Sequence, residues 1–132
     1  MLLDTSVLIA HLRGDAHATE ALLAVPTIER RVSVLARTEI EGGMRSSERA
    51  SVAGLFGGLR LLPVSDAIAR RAGEFLREYR RSHSGIDLVD YVIAATSEIH
   101  AAPLMTLNVK HFPMFDGLRP AFGSPDDPTD HS

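Results

Sequence analysis

Met1-Leu2-Leu3-Asp4-Thr5-Ser6-Val7-Leu8-Ile9 is an apolar run that stops at a carboxylate and restarts with helical spacing. A strand ending in Asp4 lifts that carboxylate to the carboxyl edge of a parallel sheet, where open α/β folds place their ligands. Asp, Thr and Ser are also the preferred N-cap residues of helices, so a cap explains Asp4 equally well unless other carboxylates converge on the same edge. Thr5 or Ser6 could take over the capping and leave Asp4 free.

Outward from this stretch, strands and helices alternate. Thr5 to Arg13 reads as a helix stopped by Gly14, and Asp15 caps a second helix that runs to Ala24 before Val25-Pro26. Arg31 to Val34 is a candidate strand, followed by a helix from Leu35 to Arg45 that Gly42-Gly43 should break and that carries Glu39. Ser46 to Gly58 reads as one further helix, and Leu59 to Leu62 as a strand ended by Pro63. Ser65-Asp66 starts an amphipathic helix with Ile68, Ala72, Phe75, Leu76 and Tyr79 on one face. A helix opening at Asp90-Tyr91 is apolar on nearly every side and is therefore expected at the centre. Pro103 to Thr106 is the next strand, Asn108 to Phe112 a turn, and Leu118 to Phe122 a possible last edge strand. This alternation predicts an α/β fold: one domain over residues 1–122, with a central parallel sheet of about four to five strands and helices on both faces. Residues 123–132 are polar and proline-containing and are expected to be a disordered tail.

Composition narrows the function. The 132 residues suffice for one core, and 45% hydrophobic with 23% charged residues suits a soluble globular domain with no membrane span. MLLDTSV has no basic leader and meets a charge at Asp4, so no signal peptide and a cytoplasmic location are expected. The chain has no cysteine, which excludes disulfides, thiolate zinc sites and cysteine nucleophiles. Of the net charge of −3, the acidic excess comes from Asp126, Asp127 and Asp130, so overall charge does not announce a nucleic-acid binder. Lys110 is the only lysine, and the arginines that make up the rest suit phosphate recognition, although a GC-rich genome produces the same bias.

On this reading Asp4, Glu39 and Asn108 each follow a strand and can meet. Carboxylates gathered at one edge repel one another unless a cation sits between them. Oxygen-only ligands suit Mg²⁺, with Mn²⁺ as substitute, and an ion there suits phosphodiester hydrolysis.

The segments LLDTSVLIAHLRG, ARTEIEGGMR, DYVIAATSEIH and PLMTLNVKHF, in that order and spacing, resemble the PIN-domain ribonucleases, most closely the VapC-type toxins of toxin-antitoxin pairs. The resemblance implies that Asp4, Glu39 and Asp90 are the metal-binding acids. Asn108 falls where many relatives have a fourth acid, and an amide there can orient water or phosphate but adds no charge. Ser6 and Thr106 resemble the hydroxyl support of the cluster. Asp87 becomes an upstream cap or supporting acid, and Asp116 a turn residue or a substitute fourth acid. The implied protein is a magnesium-dependent endoribonuclease that cuts structured RNA such as transfer or ribosomal RNA. It would be a homodimer held inactive by a cognate VapB-like antitoxin, with no membrane association.

Arg13, Arg37, Arg45 and Lys110 lie near the acids in sequence and are candidate phosphate contacts. The six histidines show no zinc spacing, and His111, directly after the Asn108 segment, is the one that could touch RNA. Phe112, Met114 and Phe115 are expected in the core. Two rival readings are a Mg²⁺-binding receiver-type signalling domain and a DxD phosphatase. The first wants a second acidic pair near the first strand, and the second wants an acid where Ser6 stands. A catalytically silent PIN-like RNA- or partner-binding module is the third, kept by the amide at Asn108.

Overall fold

The computed structural model describes residues 1–122, so the expected tail over 123–132 lies outside the described residues. Four parallel strands, β1 (Leu2–Leu3), β2 (Arg31–Ser33), β3 (Arg60–Leu62) and β4 (Leu104–Met105), pair in the order β3-β2-β1-β4. Six helices accompany them: α1 (Thr5–Leu12), α2 (Ala16–Ala24), α3 (Val34–Gly43), α4 (Arg49–Gly57), α5 (Asp66–Tyr79) and α6 (Leu88–Ile99). This order differs from the 2-1-3-4-5 order of receiver domains and removes that rival.

The two residues of β1 decide which helices go where. Side chains alternate across a strand, so Leu2 and Leu3 point to opposite faces. Leu2 joins Leu62 and Leu104 in a core closed by Ile68, Ala72 and Phe75 of α5 and by Tyr91 to Ala95 of α6. Leu3 joins Val32, Leu61 and Met105 in a second core with Leu8, Leu22, Ile40, Val52 and Phe56 from α1 to α4. Both leucines are fully buried, and each such burial stabilises by roughly 1.5–3 kcal/mol. A strand of two residues thus anchors both faces of the molecule.

The expected breaks are mostly real. Gly14, at φ +85, ends α1, and the Asp15 side chain accepts from the amides of His17 and Ala18 to cap α2. Ser65 caps α5 through the Ile68 amide. As expected, α6 is buried over Tyr91 to Ser97. Four expectations need correction. Leu118 to Phe122 forms no strand; Pro120 has no N–H to give to a ladder, and Ala121 alone donates to the Thr106 carbonyl. Ser46 to Gly58 is a short 3₁₀ turn, Ser46–Glu48, followed by α4. Gly42-Gly43 lie inside the last turn of α3, which ends at Gly43. Finally, α6 starts at Leu88 behind Asp87, two residues before the predicted opening at Asp90.

Candidate active site at the seam of the first and last strands

From β1 the chain lays β2 and β3 to one side and returns much later to place β4 on the other. That reversal opens a crevice at the carboxyl ends of β1 and β4, the position where such sheets bind ligands. Asp4 leaves β1 there, its amide donating to the Met105 carbonyl at 2.9 Å, and Thr106 leaves β4 beside it.

Asp4 is only 3% exposed and occupies the N-cap position of α1 with extended backbone, yet its side chain caps nothing. Its Oδ2 accepts from Ser6 Oγ and from Thr106 Oγ1, both at 2.7 Å. Each hydroxyl has a single proton and spends it on Asp4. Each also accepts a backbone amide from the turn after β4: Leu107 N to Ser6 Oγ and Asn108 N to Thr106 Oγ1, both 3.0 Å. Asp4 is therefore held through Oδ2 by two hydroxyls that the β4 turn itself orients. Neither Thr5 nor Ser6 caps α1 in its place; the Thr5 hydroxyl donates instead to Glu39 Oε1 at 2.7 Å. Among the described residues no lysine, arginine or histidine pairs with Asp4, and a buried carboxylate without a cation is costly.

Asp90 stands in the first turn of α6. Its Oδ2 accepts the Asp87 amide at 3.1 Å and lies 3.2 Å from His111 Nδ1. Burial pushes its carboxyl above the usual range; the Asp87 amide bond and His111 oppose this, while the charges of Asp4 and Asp87 add to it. The fields of Asp4 and Asp90 thus overlap. Asp87 is exposed at the N-cap of α6, with no side-chain cap bond. Asn108 is exposed, binds the Thr106 hydroxyl through its amide and accepts the His111 amide at 2.9 Å, so its role here is through its backbone. Its side chain makes no hydrogen bond among the described residues.

Glu39, exposed on α3, borders a cleft of about 410 Å³ between α1, α3 and the Ser46–Glu48 turn. Arg13 and Arg45 line the same cleft, and Arg13 also lines a shallower groove with Ser6 and Leu107. Arg37 turns elsewhere: it pairs with Glu41 at 3.3 Å and covers the Phe56 ring at 4.9 Å. Lys110 is exposed in the 3₁₀ turn Val109–His111. Asp116 is exposed before Gly117, at φ +72, and its charge acts on Tyr79, in keeping with a turn residue. Phe112 is buried and stacks on Phe115, with Met114 beside them against the core, as expected. Thr5 and the Leu107 amide went unforeseen. Thr5 had been read as a cap, and nothing in the sequence aims its hydroxyl at a residue 34 positions away.

Among the described residues no three Asp, Glu or His side chains are drawn together tightly enough to hold a metal by themselves. Mg²⁺ does not need that, because it binds through one or two carboxylates and keeps several waters. An all-oxygen set containing a buried, uncompensated Asp4 fits such a sparse site.

Comparison with known proteins identifies the family. Residues 1–116 match the PIN domain family. Ribonuclease VapC10 of Mycobacterium tuberculosis is 47% identical over 129 residues, covering 95% of each chain, and Ribonuclease VapC19 of the same organism is 43% identical over 125 residues, covering 92% of this chain and 98% of that one. Among solved structures, a toxin-antitoxin complex from Klebsiella pneumoniae superposes with a TM-score of 0.78 at 26% identity, covering 92% of this chain and 97% of that one. FitAcB from Neisseria gonorrhoeae gives 0.67 at 25% identity, covering 84% and 89%. The chain belongs to the PIN-domain family, in its VapC-type group.

Proposed function

We propose that the protein is a metal-dependent endoribonuclease toxin restrained by a cognate VapB-like antitoxin. The observation that carries this reading is Asp4: buried, without a cationic partner among the described residues, and braced by two hydroxyls at the sheet's switch point. Its relatives are named ribonucleases, and a structural neighbour is a toxin-antitoxin complex.

Asp4 and Asp90 would hold a divalent ion, Mg²⁺ or Mn²⁺, with Glu39 beside them. When bound, the ion supplies positive charge against the growing charge of the reacting phosphate and favours ionisation of the attacking water. The chain's own residues do the rest. Ser6 and Thr106 fix the rotamer of Asp4, so its lone pairs need no reorganisation as charge develops. Thr5 restrains Glu39 in the same way. Arg13 and Arg45, along the cleft beside Glu39, suit the flanking phosphates of an RNA strand. Single-stranded loops of folded RNA, such as transfer or ribosomal RNA, fit an arginine-lined cleft better than a stacking platform, because aromatic residues make up only 5% of the chain. No helix among the described residues is long and apolar enough to cross a membrane. The antitoxin would occupy this acidic region with a cationic side chain, and a homodimer is the assembly to test by light scattering.

The test is cleavage of a mixed pool of folded RNA by purified protein with Mg²⁺, with and without chelator. Asp4→Ala and Asp90→Ala should each lower the rate at least about a thousandfold, in line with loss of a charge-stabilising group. Cleavage that persists in both variants, or in chelator, would sink the mechanism.

A further inference from the structure

The segment Thr106 to His111 reaches both acids of the seam. At one end Thr106 donates to Asp4 Oδ2; at the other, one 3₁₀ turn later, His111 Nδ1 stands 3.2 Å from Asp90 Oδ2. The turn between them is closed by its own backbone, the His111 amide donating to the Asn108 carbonyl at 2.9 Å and the Asn108 amide to the Thr106 hydroxyl. The two side chains are therefore rigidly spaced. Asp90 Oδ2 already accepts the Asp87 amide and has the His111 ring nitrogen at ion-pairing distance, which leaves Oδ1 as the freer face for an ion. The geometry points to His111 as a positioning residue: it holds Asp90 in its metal-binding rotamer, as Ser6 and Thr106 hold Asp4.

This assignment rests on the metal-site reading above and adds to it. It gives the TLNVKHF segment a function that does not depend on a fourth acid. Where Asn108 supplies no charge, the segment places one polar side chain at each carboxylate, the Thr106 hydroxyl at Asp4 and the His111 ring at Asp90. Outer partners of this kind change metal affinity by about 10–100-fold when removed. His111 is 37% exposed in its side chain, so its replacement is compatible with folding.

Two nearly isosteric variants separate the donor from the shape: His111→Asn keeps an N–H near the position of Nδ1, and His111→Leu does not. Mn²⁺ affinity is measured without RNA, by electron paramagnetic resonance, on the full chain, the two variants and Asp90→Ala. His111→Leu should bind Mn²⁺ about tenfold more weakly, and His111→Asn should stay within about threefold of the parent. In RNA cleavage at limiting Mn²⁺, His111→Leu should lose kcat with KM for RNA unchanged, and excess Mn²⁺ should restore it. Equal affinity of parent and His111→Leu would overturn the assignment, and so would an equal loss in both variants. If the parent binds no Mn²⁺, or Asp90→Ala binds as well as the parent, the metal site itself falls and the role of His111 with it.

Discussion

An N-cap side chain stabilises its helix by about 1 kcal/mol, yet Asp4 sits at the N-cap of α1 and gives its carboxylate to Ser6 and Thr106 instead. A stability term forgone in this way fits the metal-binding role proposed for Asp4. Its importance was legible because Asp4 interrupts an apolar run; what holds it was only partly so. Ser6 and Thr106 came from the resemblance, whereas Thr5 was taken for a cap, because a hydroxyl's partner across 34 residues depends on tertiary packing and leaves no local pattern. Thr106, fully buried, carries the sharper prediction. Thr106→Val keeps the shape but strands the Asn108 amide and one bond to Asp4, and should cost about 1–3 kcal/mol of stability. Thr106→Ser should recover most of it. Thermal denaturation of the pair, read beside RNA cleavage, checks this, and equal stability of the valine and native proteins would contradict it.

At the scale of elements, helices were legible from caps and stops, while strand lengths were not. Asp15, Ser65 and Gly14 act through bonds to residues within a few positions, so the sequence contains the whole motif. Two-residue strands such as β1 and β4 exist only through pairing with distant partners, and Pro120 withheld from Leu118 to Phe122 the donors a fifth strand needs. The contact of α5 with α6 adds an ion pair that no periodicity could reveal. Arg71 donates to both oxygens of Glu98, also pairs with Glu74 at 2.7 Å, and lies 4.1 Å over the Phe75 ring. Arg71 pulls the Glu98 carboxyl below its ordinary value. A lowered folded value means that the stabilisation is fully present above the unfolded carboxyl pKa and is lost as pH falls through the folded one. Both side chains are about a third or more exposed, so a double-mutant cycle of Arg71→Ala and Glu98→Ala should show coupling of no more than about 1 kcal/mol at neutral pH. The coupling should vanish below the acid range, and a value that did not change with pH would disprove the linkage.

At the scale of the molecule, two cores on opposite faces share one thin sheet, and Asp4 sits where that sheet reverses direction. Alternation of strands and helices was enough to foresee the layers. The strand order was not available from the sequence, because nothing local says which side of β1 receives β4. An uncompensated carboxylate at the seam couples the fold to its ion. Saturating Mg²⁺ or Mn²⁺ should stabilise the native protein by about 2.7 kcal/mol at a hundredfold excess over Kd, read as a rise in melting temperature. It should leave Asp4→Ala unmoved, and an equal rise in both would place the binding elsewhere. The pairing of β1 with β4 also sets a clock on biosynthesis. Thr106 is 102 positions after the carboxylate it braces, so at about 5–20 residues per second the ribosome has made most of the domain before Asp4 acquires its second hydroxyl. A chain released at residue 103 should neither bind Mn²⁺ nor cut RNA. A toxin whose first acid waits for its last strand remains harmless to the ribosome that is still making it.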